Sequence, residues 1–219
     1  LSGANAFDCF SPDVFRRNIV RFPVAQAPLS WQDMTRVNFG WWKFWLKGRQ
    51  DWFKNVSGGT KPDHWQFACS QCLAWDCPAT VTINLENLEK HPHADDCLEV
   101  MRRWEDVRVR KILTPGQKEM LKDTSKAYHL YLEPDGTYGL YPFEMLPTPS
   151  RASAVRAYLF ERHSKRVIAY WHTTGSGTLT LPVGENGAAV SRPADRLRYW
   201  ETDLSAEDVR SAFARGEIR

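Results

Sequence analysis

Asp63-His64-Trp65-Gln66-Phe67-Ala68-Cys69-Ser70-Gln71-Cys72-Leu73-Ala74-Trp75, followed directly by Asp76-Cys77-Pro78-Ala79-Thr80-Val81-Thr82-Ile83, is the stretch on which the fold turns. In its first part Trp65, Phe67, Ala68, Cys69, Cys72, Leu73 and Ala74 form a broad apolar surface at helical spacing, which predicts a helix packed on a sheet. The second part is rich in β-branched residues and reads as a strand. Residues 94–112 carry the clearest helical pattern, with Cys97, Val100, Met101, Trp104 and Val107 on one face and charges on the other. Helix, strand, helix in that order belongs to an α/β sheet rather than to a small zinc module.

Upstream, Ser11-Pro12-Asp13 has the form of a helix start, and residues 18–24 read as a short buried strand. Residues 25–57, rich in Trp, Asn, Gln and Gly with no clean period, read as a long functional loop. Downstream, Thr114-Pro115-Gly116-Gln117 opens a helix with an N-cap, a Pro at the first position and a Gln placed for a capping box. From about residue 126 the period changes to two. His129 to Tyr141 is a hairpin turned at Asp135-Gly136, and further strands are expected over 155–161, 166–171 and 178–181. A short C-terminal helix follows Ser205 as N-cap. Two domains result, 1–125 and 126–219.

The composition, 219 residues with 42% hydrophobic and 25% charged, is that of a globular chain. Its net charge of +3 comes without a polybasic block, so nucleic acid is not the default partner. No run approaches the roughly 20 apolar residues that span a bilayer, so no membrane partner is expected. The N-terminal residues lack the charged and apolar regions of a signal peptide, and five cysteines are an odd count. Reduced thiols in a cytoplasmic protein are the expectation, and the Asn55-Val56-Ser57 sequon weighs little against it.

Cys69, Cys72, Cys77, His91, His93 and Cys97 place six possible zinc ligands within 29 residues. Cys-x2-Cys and His-x-His spacings can each present two donors to one ion, and a Cys-x4-Cys…His-x-His finger points to nucleic-acid binding. Against this, Cys69 and Cys72 lie inside an apolar helical pattern, Cys97 fits a buried stripe, and His91 and His93 flank a Pro in a loop expected to be exposed. The sequence therefore favours core cysteines, with no metal and no cofactor. A zinc-dependent nucleic-acid-binding or regulatory protein is the alternative.

Seven of the ten tryptophans fall between Trp31 and Trp75. Gln26, Trp31, Asp33, Asn38, Trp41 and Trp42 combine flat aromatic faces with amide and carboxylate groups. Carbohydrate recognition needs that pairing, one for the C–H face of a sugar and the other for its hydroxyls. These six are the candidate carbohydrate-binding residues.

The succession Arg21 to Pro28, Asn38-Phe39-Gly40-Trp41, Ala74 to Pro78 and Cys97 to Glu105 resembles the C-terminal half of a (β/α)8-barrel glycoside hydrolase. The β-rich segments Ala157 to Arg162 and Ala169 to His172 are similar to the β-sandwich appended to many such enzymes. The resemblance implies partial barrel strands and helices followed by an antiparallel β-sandwich, with loop 25–57 on the active-site face. It implies a carbohydrate substrate, and a hydrolase portion whose missing strands come from another polypeptide or an oligomer partner, since a barrel takes about 250 residues. No catalytic carboxylate is assignable.

Overall fold

The structure is a computed structural model that describes residues 43–45, 61–76, 79–82, 85–123, 125–147, 154–173, 175–183 and 189–219. The chain divides into two compact units, Leu1–Leu140 and Tyr141–Arg219.

In the first unit β1 (Lys43–Trp45) pairs in parallel with β2 (Thr80–Thr82), Phe44 opposite Val81. Along the chain the unit also contains α1 (Pro62–Ala74), between β1 and β2, and then α2 (Leu85–Lys90), α3 (Ala94–Val109), α4 (Pro115–Lys122) and β3 (Ala127–Leu132). All thirteen residues of α1 are buried, because α3, α4 and β3 pack around it. A helix enclosed on every side must either be apolar all round or have each polar side chain matched. Ser70 turns its hydroxyl back to the Phe67 carbonyl at 2.7 Å, and Gln71 donates to the Leu121 carbonyl at 2.7 Å. The second of these bonds, with Lys122 set 4.1 Å above the Trp75 ring, ties α4 to α1.

Helix α3 is amphipathic. Cys97, Val100, Trp104 and Val107 are buried, while Glu99, Glu105 and Asp106 pair with Arg102, Arg108 and Arg110 on its outer side. Thr114 and Gln117 form the expected capping box of α4. Strand β3 turns back at Asp135-Gly136, where Gly136 takes φ +82° and Asp135 accepts from the Thr137 amide at 2.9 Å.

In the second unit β4 (Tyr138–Met145), which begins in the first, pairs antiparallel with β5 (Val155–Arg162) through Phe143–Met145. Strand β5 pairs with β6 (Lys165–His172), and β6 with β9 (Arg198–Thr202). A separate sheet sets β7 (Thr178–Pro182) between β8 (Ala189–Pro193) and β10 (Glu217–Ile218). Helix α5 (Ala206–Ala214), capped by Ser205, packs on β7, and its Val209 and Phe213 join Leu159, Ile168, Leu179 and Trp200 in one apolar core.

The expected half-barrel with its appended β-sandwich is therefore corrected, and with it the resemblance to a (β/α)8-barrel glycoside hydrolase. Among the described residues parallel pairing is confined to the three residues each of β1 and β2. Helices α2, α3 and α4 follow one another with no strand between them, whereas a barrel alternates the two. The other sheets are open and antiparallel, with helix and strand in comparable amounts. The physical reason lies in α1. Its broad apolar surface reads as one face of a helix lying on a sheet, but the apolar residues go nearly all the way round, so the helix sits at the centre of a helical cluster. The second unit departs from a two-sheet sandwich because α5 closes its core.

Candidate functional site

The candidate carbohydrate-binding residues Gln26, Trp31, Asp33, Asn38, Trp41 and Trp42 lie outside the described residues, and so does Cys77. Of the remaining zinc-ligand candidates, Cys69, Cys72 and Cys97 are buried thiols not joined in disulfides, as expected of core cysteines. His91 and His93 are buried too, at 9% and 1% exposure, contrary to the solvent exposure expected of a Pro-containing loop. A short helix, α2, precedes them, and α3 begins immediately after His93.

These groups are not alone. Asp63 and His64, in the first turn of α1, are both buried, as is Lys61 at its N-cap. The imidazole of His64 stands 3.8 Å from the Asp63 carboxylate. Buried Lys and Asp are rare unless paired, and no local pattern in the sequence signals that this polar helix start is enclosed. Cys97 connects the two helix starts electrostatically. Burial pushes its thiol up, the Asp96 and Asp63 carboxylates push it further the same way, and Lys61 opposes them. So Lys61 and Asp63 at the entrance to α1 act electrostatically on Cys97 in the first turn of α3, the turn that follows His91 and His93.

The hydrogen bonds fix two tautomers. The His93 Nδ1–H donates to an Asp96 carboxylate oxygen at 3.1 Å, because a carboxylate oxygen only accepts, which leaves the lone pair of a neutral ring on Nε2. The His93 amide N–H donates to His91 Nδ1 at 3.0 Å, which assigns the proton of a neutral His91 ring to Nε2. The two rings meet edge to face, their centroids 6.4 Å apart. One turn on, the Cys97 amide donates to the His93 carbonyl at 2.9 Å.

The sulfurs are distributed along the helix pair. Cys69 and Cys97 act on one another electrostatically, and burial followed by the Glu105 carboxylate pushes the Cys69 thiol up. Cys72 acts on Arg108, near the far end of a helix about 24 Å long by the rise of its 16 residues.

This chemistry excludes one role and permits another. A thiol held up by burial and by carboxylates carries little thiolate, so Cys97 is not a nucleophile. Imidazole nitrogen and thiol sulfur are zinc donors, and a bound cation reverses the local preference by drawing off the thiol proton. Among the described residues, however, no three His, Cys, Asp or Glu side chains converge closely enough to hold an ion, so those residues by themselves do not form a metal cage.

A second polar feature lies deeper in the same unit. Gln66 accepts from Trp104 Nε1 at 2.6 Å and from the Leu130 amide at 3.3 Å through one oxygen, and its amide nitrogen donates to His129 Nδ1 at 2.8 Å. Burial, helped by the nearby Arg103 charge, holds His129 neutral with its pKa lowered to about 3. This knot joins α1, α3 and β3 and reads as structural.

Among the described residues no helix is long and apolar enough to cross a membrane. No protein-family model, no curated protein and no solved structure matches this chain.

Proposed function

We propose that the chain is a zinc-binding regulatory or nucleic-acid-binding protein that uses its cysteine and histidine cluster, with the thiols of the first unit as the sulfur donors. The observation that carries this reading is the burial of His91, His93 and Cys97, the last one helical turn after His93. Imidazole nitrogen and thiol sulfur, both polar or polarizable groups buried in this unit, are donors that zinc accepts. Zinc takes them in a tetrahedral site of mixed nitrogen and sulfur. Metal binding and folding are coupled, so the donors need not converge before the ion draws them together. Cys97 follows His93 by one helical turn, and Cys77 supplies a further sulfur by spacing.

The reading goes with a reducing compartment such as the cytoplasm, where thiols persist. A nucleic-acid partner would be met through phosphate contacts, for which α3 offers exposed Arg102 and Arg110. The test is metal content. Purified chain is expected to carry one zinc, lost in the His91→Ala/His93→Ala double variant, with cobalt-loaded chain showing thiolate charge-transfer absorption. A chain that takes up no zinc or cobalt sinks the proposal. Loss of the metal in Cys77→Ser but not in Cys97→Ser would keep the function and move the sulfur set. The sugar-binding reading of Gln26, Trp31, Asp33, Asn38, Trp41 and Trp42 keeps its sequence argument alone. Sugar-dependent quenching of Trp fluorescence, abolished by Trp41→Ala, is what would support it.

A further inference from the structure

We propose that the turn from β8 into β9 is the surface through which this chain meets the phosphates of a nucleic-acid backbone, with Arg192 and Arg196 as the contacting cations and the Tyr170 hydroxyl beside them. The inference rests on the nucleic-acid arm of the reading above. Residues 191–200 hold three arginines, Arg192, Arg196 and Arg198, against one acid, Asp195. Two ladders bring the first and last of these arginines to one rim. Arg192 of β8 stands opposite Leu179 of β7, and Arg198 of β9 opposite Tyr170 of β6. Directly opposed residues share a face of their sheet. Leu179 and Tyr170 both belong to the apolar core of the second unit, so the two arginines leave their sheets on the core side. Tyr170 is only 3% exposed, yet both guanidiniums act on it: burial pushes its hydroxyl up, Arg192 and Arg198 draw it back down, and Asp195 opposes them.

The bland alternative is an ordinary charged surface on which every arginine has its acid. The pairing separates the two. Arg198 donates to Asp195 through two bonds of 2.9 and 3.0 Å. Those bonds, and then the amides of Asp195 and Arg196, hold the Asp195 carboxyl down against burial, so its acceptor positions are already taken. Among the described residues no carboxylate pairs with Arg192 or Arg196. In α3, by contrast, Arg102 and Arg110 are bonded to Glu99 and Asp106. The turn is also fixed in place, since Ala194 is fully buried and donates its amide to the Gly177 carbonyl at 2.8 Å. Guanidiniums that no acid neutralises, held beside a hydroxyl, are the donors that phosphate oxygens accept from.

The experiment is fluorescence anisotropy of a labelled mixed-sequence DNA duplex with the full chain over a salt series, with zinc content measured on the same samples. Arg192→Gln is expected to flatten the salt slope by about 0.9 and to weaken binding about tenfold at roughly 0.1 M salt. Arg192→Gln/Arg196→Gln should double the change in slope. Arg210→Gln removes the same charge from the same unit, but from a side chain bonded to Glu144 at 2.6 Å, and should keep the wild-type slope. Tyr170→Phe should weaken binding about threefold at unchanged slope, because a neutral hydrogen bond releases no counterion. A wild-type slope in the double variant would overturn the inference, and so would an equal loss in Arg210→Gln. Wild-type affinity in Tyr170→Phe would overturn the part given to the hydroxyl. A wild-type chain that carries zinc but binds no duplex would overturn the inference and leave the metal reading standing, whereas binding without zinc would do the reverse.

Discussion

The two units of this chain are held together by different kinds of interior. Among the described residues all nine buried polar or charged side chains, Lys61, Asp63, His64, Gln66, Ser70, Gln71, His91, His93 and His129, belong to the first unit. The core of the second is Leu146, Val155, Ala157, Leu159, Ile168, Tyr170, Leu179, Leu181, Ala194, Trp200, Val209 and Phe213. Its specificity comes from sheet register, in which a one-residue slip would turn every inward side chain outward. The first unit instead uses hydrogen bonds inside a helical cluster, where a buried polar group costs more when unmatched than it contributes when matched. The units should therefore fail differently, one when a partner or a proton balance changes and the other when volume is lost.

The largest effect is expected at Gln66. Gln66→Leu keeps the volume but strands the Trp104 N–H, the Leu130 amide and the His129 Nδ1 contact, each a buried loss of about 1–3 kcal/mol. Urea unfolding should show the first unit weakened by about 4 kcal/mol. The counterpart in the second unit, Leu159→Ala, should cost about 2–5 kcal/mol through the cavity alone. A Gln66→Leu chain as stable as wild type would mean that the knot is incidental.

Acid should separate the units by nearly as much. His129 is held neutral with a pKa of about 3, against an ordinary value of 6.5. Unfolding releases the ring to take up a proton, so the folded state is favoured in full above pH 6.5 and loses stability as pH falls from there to about 3. At about 1.4 kcal/mol per pH unit, this ring alone removes about 3 kcal/mol by pH 4. The difference in unfolding free energy between wild type and His129→Gln should shift by that amount over the window, while the increment due to Leu159→Ala stays flat. A parallel shift for both variants would erase the contrast.

How much of this could be read from the chain divides along the same line. The helices α1 and α3, the capping box at Thr114, the Asp135-Gly136 hairpin and the β5–β6 pair follow from period and turn chemistry, which act over a few residues. The surroundings of α1 do not, because an apolar surface can be covered by a sheet or by other helices and local pattern carries no preference. Strand β8 went unread since most of its residues are exposed and leave no alternation. At the site, the residue types and spacings of the thiols and imidazoles were visible, and their burial was not. Pro92 made His91 and His93 look like a solvated loop, yet α2 and α3 close in on either side of it. Lys61, Asp63 and His64 passed for an ordinary polar helix start, since nothing within one turn of chain reveals that the start is enclosed.

The smallest effect tests whether the second unit is as purely a matter of register as its core suggests. Its longest ladder, β5 with β6, runs from Val155 opposite His172 to Arg162 opposite Lys165, and closes through His163-Ser164. Both turn residues have positive φ, 49° and 64°, as a two-residue hairpin turn of this hand requires, but neither is the Asn-Gly that adopts it at little cost. The left-handed region costs a residue with a Cβ about 1 kcal/mol or more, and glycine in the unfolded chain gives part of that back. Ser164→Gly should therefore stabilise the unit by about 0.5 kcal/mol, raising the thermal midpoint slightly with no change in pH dependence. The 3.4 Å contact between His163 and the Tyr141 hydroxyl is long and exposed, so it contributes little to holding the turn. If Ser164→Gly destabilises instead, the Ser164 side chain must itself hold the turn, and the second unit would depend on a polar contact just as the first does.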